Sequence, residues 1–259
     1  LTLLFFKTQL MADLEYRINF FAGMLVETGY FFAKLAYVFV VIETDLHLGD
    51  LGDFGPYHII TCIGVYVVLT GLYMFFYPAL LNFPGLVQSG MLDLLIIKPA
   101  PTFFLVSVSK SSLAMLIPDF VLGWALVIWG WAGSGEPFIA ANLLLGLAFM
   151  LLGTALTFAL FSLPIVISLW VVRVEKLHGV LGSLWDFNNM PMNNYPRWMR
   201  WLGLFVLPIF AITNPAAFAF LNRTDMNLAA AAVAAPLVLG AVVSRVWKQG
   251  IRQYHSAGA

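Results

Sequence analysis

The sequence predicts an all-α polytopic membrane protein, and three observations support that prediction. Hydrophobic residues make up 61% of the 259 residues and charged residues only 10%, whereas a soluble domain carries about 25% charge. The mean hydropathy is +0.91, and several apolar runs reach the roughly 20 residues that cross about 30 Å of hydrocarbon. These runs are continuous rather than alternating, which favours helices over the strands of a membrane barrel.

The first third of the chain predicts one interfacial helix and two spans. Residues 1–17 are amphipathic, which is typical of a helix that lies along the membrane interface. Spans are predicted at about 18–42 and 57–77, joined by an acidic connector without Lys or Arg. In the following segment, 78–101, the stretch "SGMLDLLIIKPAP" is too short and too charged to cross a bilayer, yet too apolar for an ordinary solvated loop.

The remaining clear spans are predicted at about 102–131, 138–172 and 228–246. The run at 138–172 is too long for one straight span, and Pro164 inside it predicts a kink. Residues 177–222 are polar and interrupted by prolines, so their layout is harder to predict.

Two layouts fit residues 177–222. In the first, a short polar fifth span at about 176–192 precedes an external, re-entrant, proline-broken hairpin at 193–222. In the second, residues 177–200 are cytoplasmic and 201–221 form the fifth span. The distribution of Lys and Arg mildly prefers the second layout.

Lys and Arg, rather than the acids, predict the orientation. With six spans, both termini and segment 78–101 face the cytoplasm, and the exceptions are Arg197, Arg200 and Arg223. The basic residues assigned to the cytoplasmic side are Lys7, Arg17, Lys98, Lys110, Arg173, Lys176, Arg245, Lys248 and Arg252.

Composition also excludes several classes of function. A net charge of zero argues against a nucleic-acid partner, and the single Cys62 allows no internal disulfide. The four histidines show no metal-ligand spacing, and no paired catalytic side chains are visible. No G-x-x-x-x-G-K-[ST] loop for nucleotide phosphates is present, so an ATP-driven pump would need its ATPase on another polypeptide.

Ionisable groups inside predicted spans are costly and are therefore candidates for a substrate path. Glu27 and Lys34 lie two helical turns apart on one face, about 10 Å along the axis. Acids beside aromatic rings suit a lipophilic cation, although the same groups could instead hold helices together. The candidate path residues are Glu27, Lys34, Asp119, Trp185, Asp186, Asn188 and Asn189.

Several segments, in order, resemble the membrane subunit of type-2 ABC exporters, and more narrowly small bacterial permeases that accompany a separate ATPase. The most specific are "SGMLDLLIIKP" (89–99) and "YPRWMRWLGLFVLPIFAITNPA" (195–216). Further matching segments are "LEYRINF" (14–20), "RVEKLHGVL" (173–181) and the terminal "WKQGIRQYHSAGA".

The resemblance implies six spans, an N-terminal interfacial helix, a cytoplasmic coupling helix between spans two and three, and a re-entrant helical pair before span six. It therefore favours the first layout of residues 177–222. It also implies a bacterial inner-membrane location, two ABC ATPase subunits, and a second permease that is identical or related. ATP and Mg would be bound by the ATPases, with no cofactor in this chain.

The resemblance further implies that segment 78–101 docks on the ATPase. A coupling element of this kind needs a short rigid helix with exposed apolar side chains, and the alternative is an interfacial turn that only returns the chain to the membrane. The candidate coupling residues are Leu80, Leu81, Phe83, Leu86, Ser89 and Asp93.

The leading hypothesis is a permease that exports a lipophilic or amphiphilic substrate, with cationic, drug-like molecules and hence multidrug efflux among the candidates. Peptides, antibiotics and lipid-linked molecules stay open. The alternative is an ion-coupled secondary carrier in which Glu27, Asp119 or Asp186 binds the coupling ion.

Overall fold

The computed structural model describes residues 11, 14–43, 54–108, 111–170 and 175–254. Their regular secondary structure is entirely helical. Two 3₁₀ turns, Asp186–Asn189 and Met192–Asn194, and one π-helical turn, Leu202–Val206, interrupt the later part of the chain. The α-helices are α1 (Arg17–Glu43), α2 (Pro56–Gln88), α3 (Met91–Ile96), α4 (Thr102–Val108), α5 (Leu113–Ser134), α6 (Ala140–Ile167), α7 (Glu175–Trp185), α8 (Arg197–Trp201), α9 (Phe210–Phe220) and α10 (Met226–Gln253).

Four described helices, α2, α5, α6 and α10, are long and apolar enough to cross a membrane. A fifth crossing is added if the bent pair Arg197–Val206 and Phe210–Phe220 counts as one span. The chain bends by 106° between the two helices of this pair. The prediction of an all-α protein with several membrane-capable helices is therefore confirmed. The count of six spans stays a prediction, and α1, at 27 residues, is long enough by length alone.

Helix α2 is central, and glycines bring it into backbone contact with α5. A Cβ added at Gly64 would lie 2.6 Å from the Val127 nitrogen, and one added at Gly123 would lie 2.7 Å from the Val68 nitrogen. Because lipid gives little hydrophobic drive for helix association, close van der Waals contact between small residues is what holds membrane helices together.

Helices α9 and α10 both pack against α6. Gly153 admits the Ile212 carbonyl oxygen, and Gly146 admits the Phe220 ring. With 11 residues, α9 is only about 16 Å long, roughly half the hydrocarbon thickness. It therefore covers only part of the length of α6.

Three helix boundaries differ from the sequence-based expectation. The second helix does not end at Tyr77 but continues through Pro78 and Pro84 to Gln88. Proline removes one backbone hydrogen bond, but membrane helices tolerate that loss where neighbouring elements support them. The expected separate short coupling helix is thus the last part of α2, followed by α3.

The third expected helix is divided into α4 and α5. Helix α5 begins at Leu113 because Ser112 is extended, with φ −121° and ψ 113°, and donates its N–H to the Phe75 carbonyl of α2 at 3.3 Å. The fifth expected span, 176–192, is α-helical only to Trp185. The interfacial helix expected at 1–17 lies almost wholly outside the described residues.

Candidate functional site

A cluster of charged and aromatic side chains lies where α1, α2 and α5 meet. The Lys34 ammonium nitrogen is 3.8 Å from Asp119 Oδ2 and 5.2 Å from the centroid of the Tyr66 ring. Lys34 lies about 14 Å along α1 from Glu43, and Asp119 lies about 9 Å along α5 from Leu113. One cation is thus shared between an acid and a ring on two other helices.

Asp119 is the most deeply buried charge of this cluster. Its side chain has 0% exposure, whereas that of Lys34 is 22% exposed. Within the described part of the chain, neither carboxylate oxygen accepts a hydrogen bond. Gly71 lets α5 approach α2 at this level, because a Cβ there would lie 2.9 Å from Asp119 Cβ. The carboxylate therefore depends on Lys34 for compensation of its charge.

Glu27 is the second acid near Lys34. It is 9% exposed and interacts electrostatically with both Lys34 and Asp119. The sequence predicts that Glu27 and Lys34 share a face of α1, and that face points to Asp119. The structure therefore brings together three of the candidate path residues.

The end of α7 is bonded to α2 beside this cluster. The Tyr66 hydroxyl donates to Asp186 Oδ1 at 3.1 Å, and Asp186 itself is exposed. Trp185 is buried and donates its indole N–H to Thr70 Oγ1 at 3.2 Å. Thr70 in turn donates to the Tyr66 carbonyl at 2.8 Å. Tyr66 thus contacts Lys34 with its ring and Asp186 with its hydroxyl.

Aromatic rings line one side of the cluster. The Trp185 ring centroid lies 5.9 Å from that of Tyr66, 5.2 Å from that of Tyr73 and 6.0 Å from that of Phe161. The acids therefore stand beside an apolar, π-rich surface, which is the combination that attracts hydrophobic cations.

Asn188 serves a different role, because its amide joins the first 3₁₀ turn to α9. It donates to the Trp185 carbonyl at 3.1 Å and accepts from the Thr213 hydroxyl at 2.9 Å. The next residue of α9, Asn214, accepts at 2.7 Å from the N–H of Met192 in the second 3₁₀ turn. Asn189 is half-buried beside it. The polar composition of this segment thus supports a proline-broken backbone.

A second polar cluster, at the other end of α5, joins the first turn of α2 to the α5–α6 and α9–α10 connectors. Glu136 Oε1 lies 3.5 Å from His58 Nε2 and 3.3 Å from Arg223 Nη2. Asn222 donates to Glu136 Oε2 at 3.4 Å and to the Pro137 carbonyl at 3.0 Å. Partial burial acts to raise the pKa of Glu136, but the hydrogen bonds from His58, Asn222 and Arg223 outweigh it and hold the pKa below its usual range.

Sequence reasoning missed this second cluster, although one signal was available. Arg223 was an unexplained base on the predicted outer side, and Glu136 was an acid in the short connector on that same side. Their pairing compensates the charge of Arg223. Nothing in the spacing of the two residues indicates the contact.

The candidate coupling residues are only partly exposed. Leu80 is 1% and Phe83 0% exposed, and the Phe83 ring packs 5.7 Å from that of Trp247 in α10. The expected exposure is therefore wrong for these two residues, because α2 continues past Pro78 and turns them toward the core. Leu81 is 45% exposed and Leu86 is half-buried.

Ser89 and Asp93 lie at the chain reversal after α2. Ser89 is exposed and donates its hydroxyl to the Gly85 carbonyl at 2.7 Å, which caps the end of the helix. Gly90 follows with φ +70°, a left-handed conformation that favours glycine. Asp93 is half-buried in the first turn of α3.

An apolar groove of about 580 Å³ lies between the end of α2 and α3, and is called the α2–α3 groove below. Its exposed apolar side chains include Met91, Leu94 and Ile97, at 50%, 53% and 78% exposure. These three positions repeat every third residue, a helical spacing that the sequence contained. The residues lining the groove are Asn82, Leu86, Met91, Leu94, Leu95, Ile97, Lys98 and Pro99.

Within the described residues, no group of three or more His, Cys, Asp or Glu side chains is arranged to hold a metal ion. A family model described as ABC-2 family transporter protein matches residues 20–258. No curated protein and no solved structure matches the chain. The matched range includes both polar clusters and the α2–α3 groove.

Proposed function

The chain belongs to the ABC-2 family of transporter proteins, and on that premise we propose that it is the membrane permease of an ATP-driven exporter. The observation that carries the proposal is the family match over residues 20–258. In exporters of the type that the chain resembles, ATP and Mg are bound by a separate ATPase, and we expect two copies of such a subunit here. The protein would act in the bacterial inner membrane with both termini in the cytoplasm.

The ATPase would dock at the end of the molecule that carries α3. Support comes from the exposed apolar side chains of Met91, Leu94 and Ile97, which line the α2–α3 groove together with the exposed Lys98. An ordinary solvent-facing turn would not place so many apolar groups in water, and such patches mark interaction sites. ATP-driven closure of the ATPases would then displace the whole of α2 as a rigid body.

The exported substrate would be lipophilic or amphiphilic. Support comes from the acids and aromatic rings of the cluster around Lys34, which offer both charge and apolar contact. A carboxylate that faces lipid at this depth is costly, so exposed Asp186 argues that its face of the molecule is covered or hydrated. A second permease, identical or related, would cover that face and enclose the path.

A pull-down from detergent extract tests the pairing with an ATPase. The tagged wild-type protein is compared with the variant Met91→Ser/Leu94→Ser, which changes two exposed side chains of the α2–α3 groove. A matched control, Leu177→Ser/Val180→Ser, changes side chains of 42% and 55% exposure on α7, away from the groove. We expect an ATPase to co-purify with the wild type and the control, and to be lost from the groove variant.

The same preparation separates the exporter from an ion-coupled carrier. Transport that needs ATP hydrolysis by the co-purified subunit supports the exporter. The absence of any ATPase under conditions that preserve complexes, together with transport driven by a proton or sodium gradient, would replace it with the carrier.

A further inference from the structure

We propose that the cluster around Lys34 is a binding site for a hydrophobic organic cation, and that the Lys34 ammonium occupies this site as a tethered competitor until the cation arrives. The site consists of Glu27, Asp119, Tyr66 and Asp186. This inference rests on the proposed export function and names the substrate class of the same path.

Asp119 is buried without a hydrogen-bond donor from the part of the chain that the structure describes. The side chain is fully buried, yet neither oxygen accepts a hydrogen bond from any described residue. Buried carboxylates are normally satisfied by several donors. A carboxylate held without donors is suited to a cation that carries no N–H groups, because such a ligand offers charge and no hydrogen bonds.

The charges of the cluster are unbalanced. Glu27 and Asp119 both interact with Lys34. The Tyr66 ring contacts Lys34, and its hydroxyl donates to a third acid, Asp186. With these three acids and Lys34 all ionised, acids exceed bases by two. At membrane depth such an excess is unfavourable, and a monovalent organic cation reduces it.

Tyr66 supplies an aromatic partner for a cation. Tyr66 already holds one cation over its ring, at 5.2 Å, and its hydroxyl is fixed by Asp186 at 3.1 Å. The neighbouring rings of Trp185 and Tyr73 extend the apolar wall. A ring between two acids attracts a positive charge with an aromatic or aliphatic shell more strongly than it attracts hydrated sodium.

Lys34 is held beside Asp119 by charge attraction without a short hydrogen bond. The separation of 3.8 Å exceeds the 2.7–3.2 Å of an N–H···O hydrogen bond, so moving the ammonium breaks no such bond. The Lys34 side chain is 22% exposed, and its flexible stem allows the ammonium to move along α1, away from Asp119. The entering cation would replace the Lys34 side chain beside Asp119, and α1 would move outward to admit a bulky cation.

Binding of tetraphenylphosphonium to the purified permease in lipid nanodiscs tests the proposal. Tetraphenylborate, an anion of the same size and shape, controls for partition into lipid. We expect Lys34→Met to bind the phosphonium at least tenfold more tightly than the wild type, because the competing ammonium is gone. Lys34→Arg keeps the competing charge and should leave affinity within twofold.

The acids provide the reverse test. Asp186→Asn keeps an oxygen that accepts from the Tyr66 hydroxyl, and Asp186 is exposed, so the variant should fold and should bind at least fivefold more weakly. This variant keeps the test decisive even if Lys34→Met, which leaves Asp119 unpaired, does not fold. Lys34→Met/Asp119→Asn removes both partners and should bind more weakly than Lys34→Met alone.

Two results overturn the proposal. In one, Lys34→Met does not raise the affinity for the phosphonium and Asp186→Asn does not lower it. The other is an equal change in the binding of tetraphenylborate, which would indicate an altered surface and no cation site. Because the assay uses the permease alone, its failure leaves the ATPase pull-down unaffected, and failure of the pull-down leaves this result unaffected.

Discussion

Replacing Gly64 by alanine tests the backbone contact between α2 and α5. The new Cβ would lie 2.6 Å from the Val127 nitrogen and 3.0 Å from the Gly123 carbonyl oxygen. Favourable contacts of a carbon atom start at about 3.5 Å, so the helices would have to move apart by several tenths of an ångström. Backbone atoms cannot rotate away as a flexible side chain can.

The magnitude follows from two opposing effects. Overpacking a close contact costs about 1–3 kcal/mol, and alanine in place of glycine within a helix gains about 0.5–1 kcal/mol. We therefore expect Gly64→Ala to lower the free energy of unfolding by about 1–2 kcal/mol. In Gly240→Ala, the matched control in α10, no neighbouring atom lies within 4 Å of the new Cβ, so only the gain should appear.

Unfolding in mixed micelles, followed by circular dichroism against increasing dodecyl sulfate, measures the difference between the two variants. The predicted order of stability is Gly240→Ala, then wild type, then Gly64→Ala. If Gly64→Ala were as stable as Gly240→Ala, the close approach of α2 and α5 would be refuted. Gly123→Ala should resemble Gly64→Ala, and the two effects should not add because both substitutions open one contact.

Three further predictions concern charge and packing. Lys34→Met should lower the free energy of unfolding more than Asp119→Asn does, by up to about 3–5 kcal/mol. It leaves a fully buried carboxylate without a partner, whereas Asp119→Asn leaves a lysine side chain that is 22% exposed. The same unfolding assay would contradict this if Asp119→Asn proved the more costly. Phe83→Ala should lower the free energy of unfolding by about 3–5 kcal/mol because the ring is fully buried. Leu81→Ala should change it by no more than about 0.5 kcal/mol. Similar losses of stability for both variants would indicate that Leu81 is also part of the core. The lowered pKa of Glu136 means that its ionised form stabilises the fold above the usual glutamate pKa of about 4.3, and that this contribution is lost as pH falls through the lowered value. A Glu136→Gln variant should therefore lose less stability than the wild type between pH 5 and 3, in a thermal unfolding series, and an unchanged pH profile would contradict the role of the ionised carboxylate.

Part of the candidate site was predictable from the sequence because a membrane makes every ionisable residue conspicuous. Glu27, Lys34, Asp119 and Asp186 stand out as charges inside apolar runs. Helical spacing also predicts that Glu27 and Lys34 share one face. The partners of Lys34 could not be predicted, because nothing in α1 indicates which face of α5 it meets.

The burial of the coupling region could not be predicted from the sequence. Leu80, Phe83 and Leu81 are equally apolar in the sequence, and a proline at position 78 favours a helix end before them. The helix nevertheless continues, and burial of Phe83 against Trp247 gives it tertiary support. The exposed apolar surface is consequently formed more by α3 than by the residues after Pro78.

The sequence by itself determined that this protein is a bundle of membrane-capable helices. This follows from local physics, since a backbone in lipid must satisfy its own hydrogen bonds. Only the tertiary structure decided that Asp119 faces Lys34, that Tyr66 meets Asp186, and that Glu136 pairs with Arg223. Each of these contacts joins residues far apart in the chain, and it depends on how the helices and connectors pack against one another.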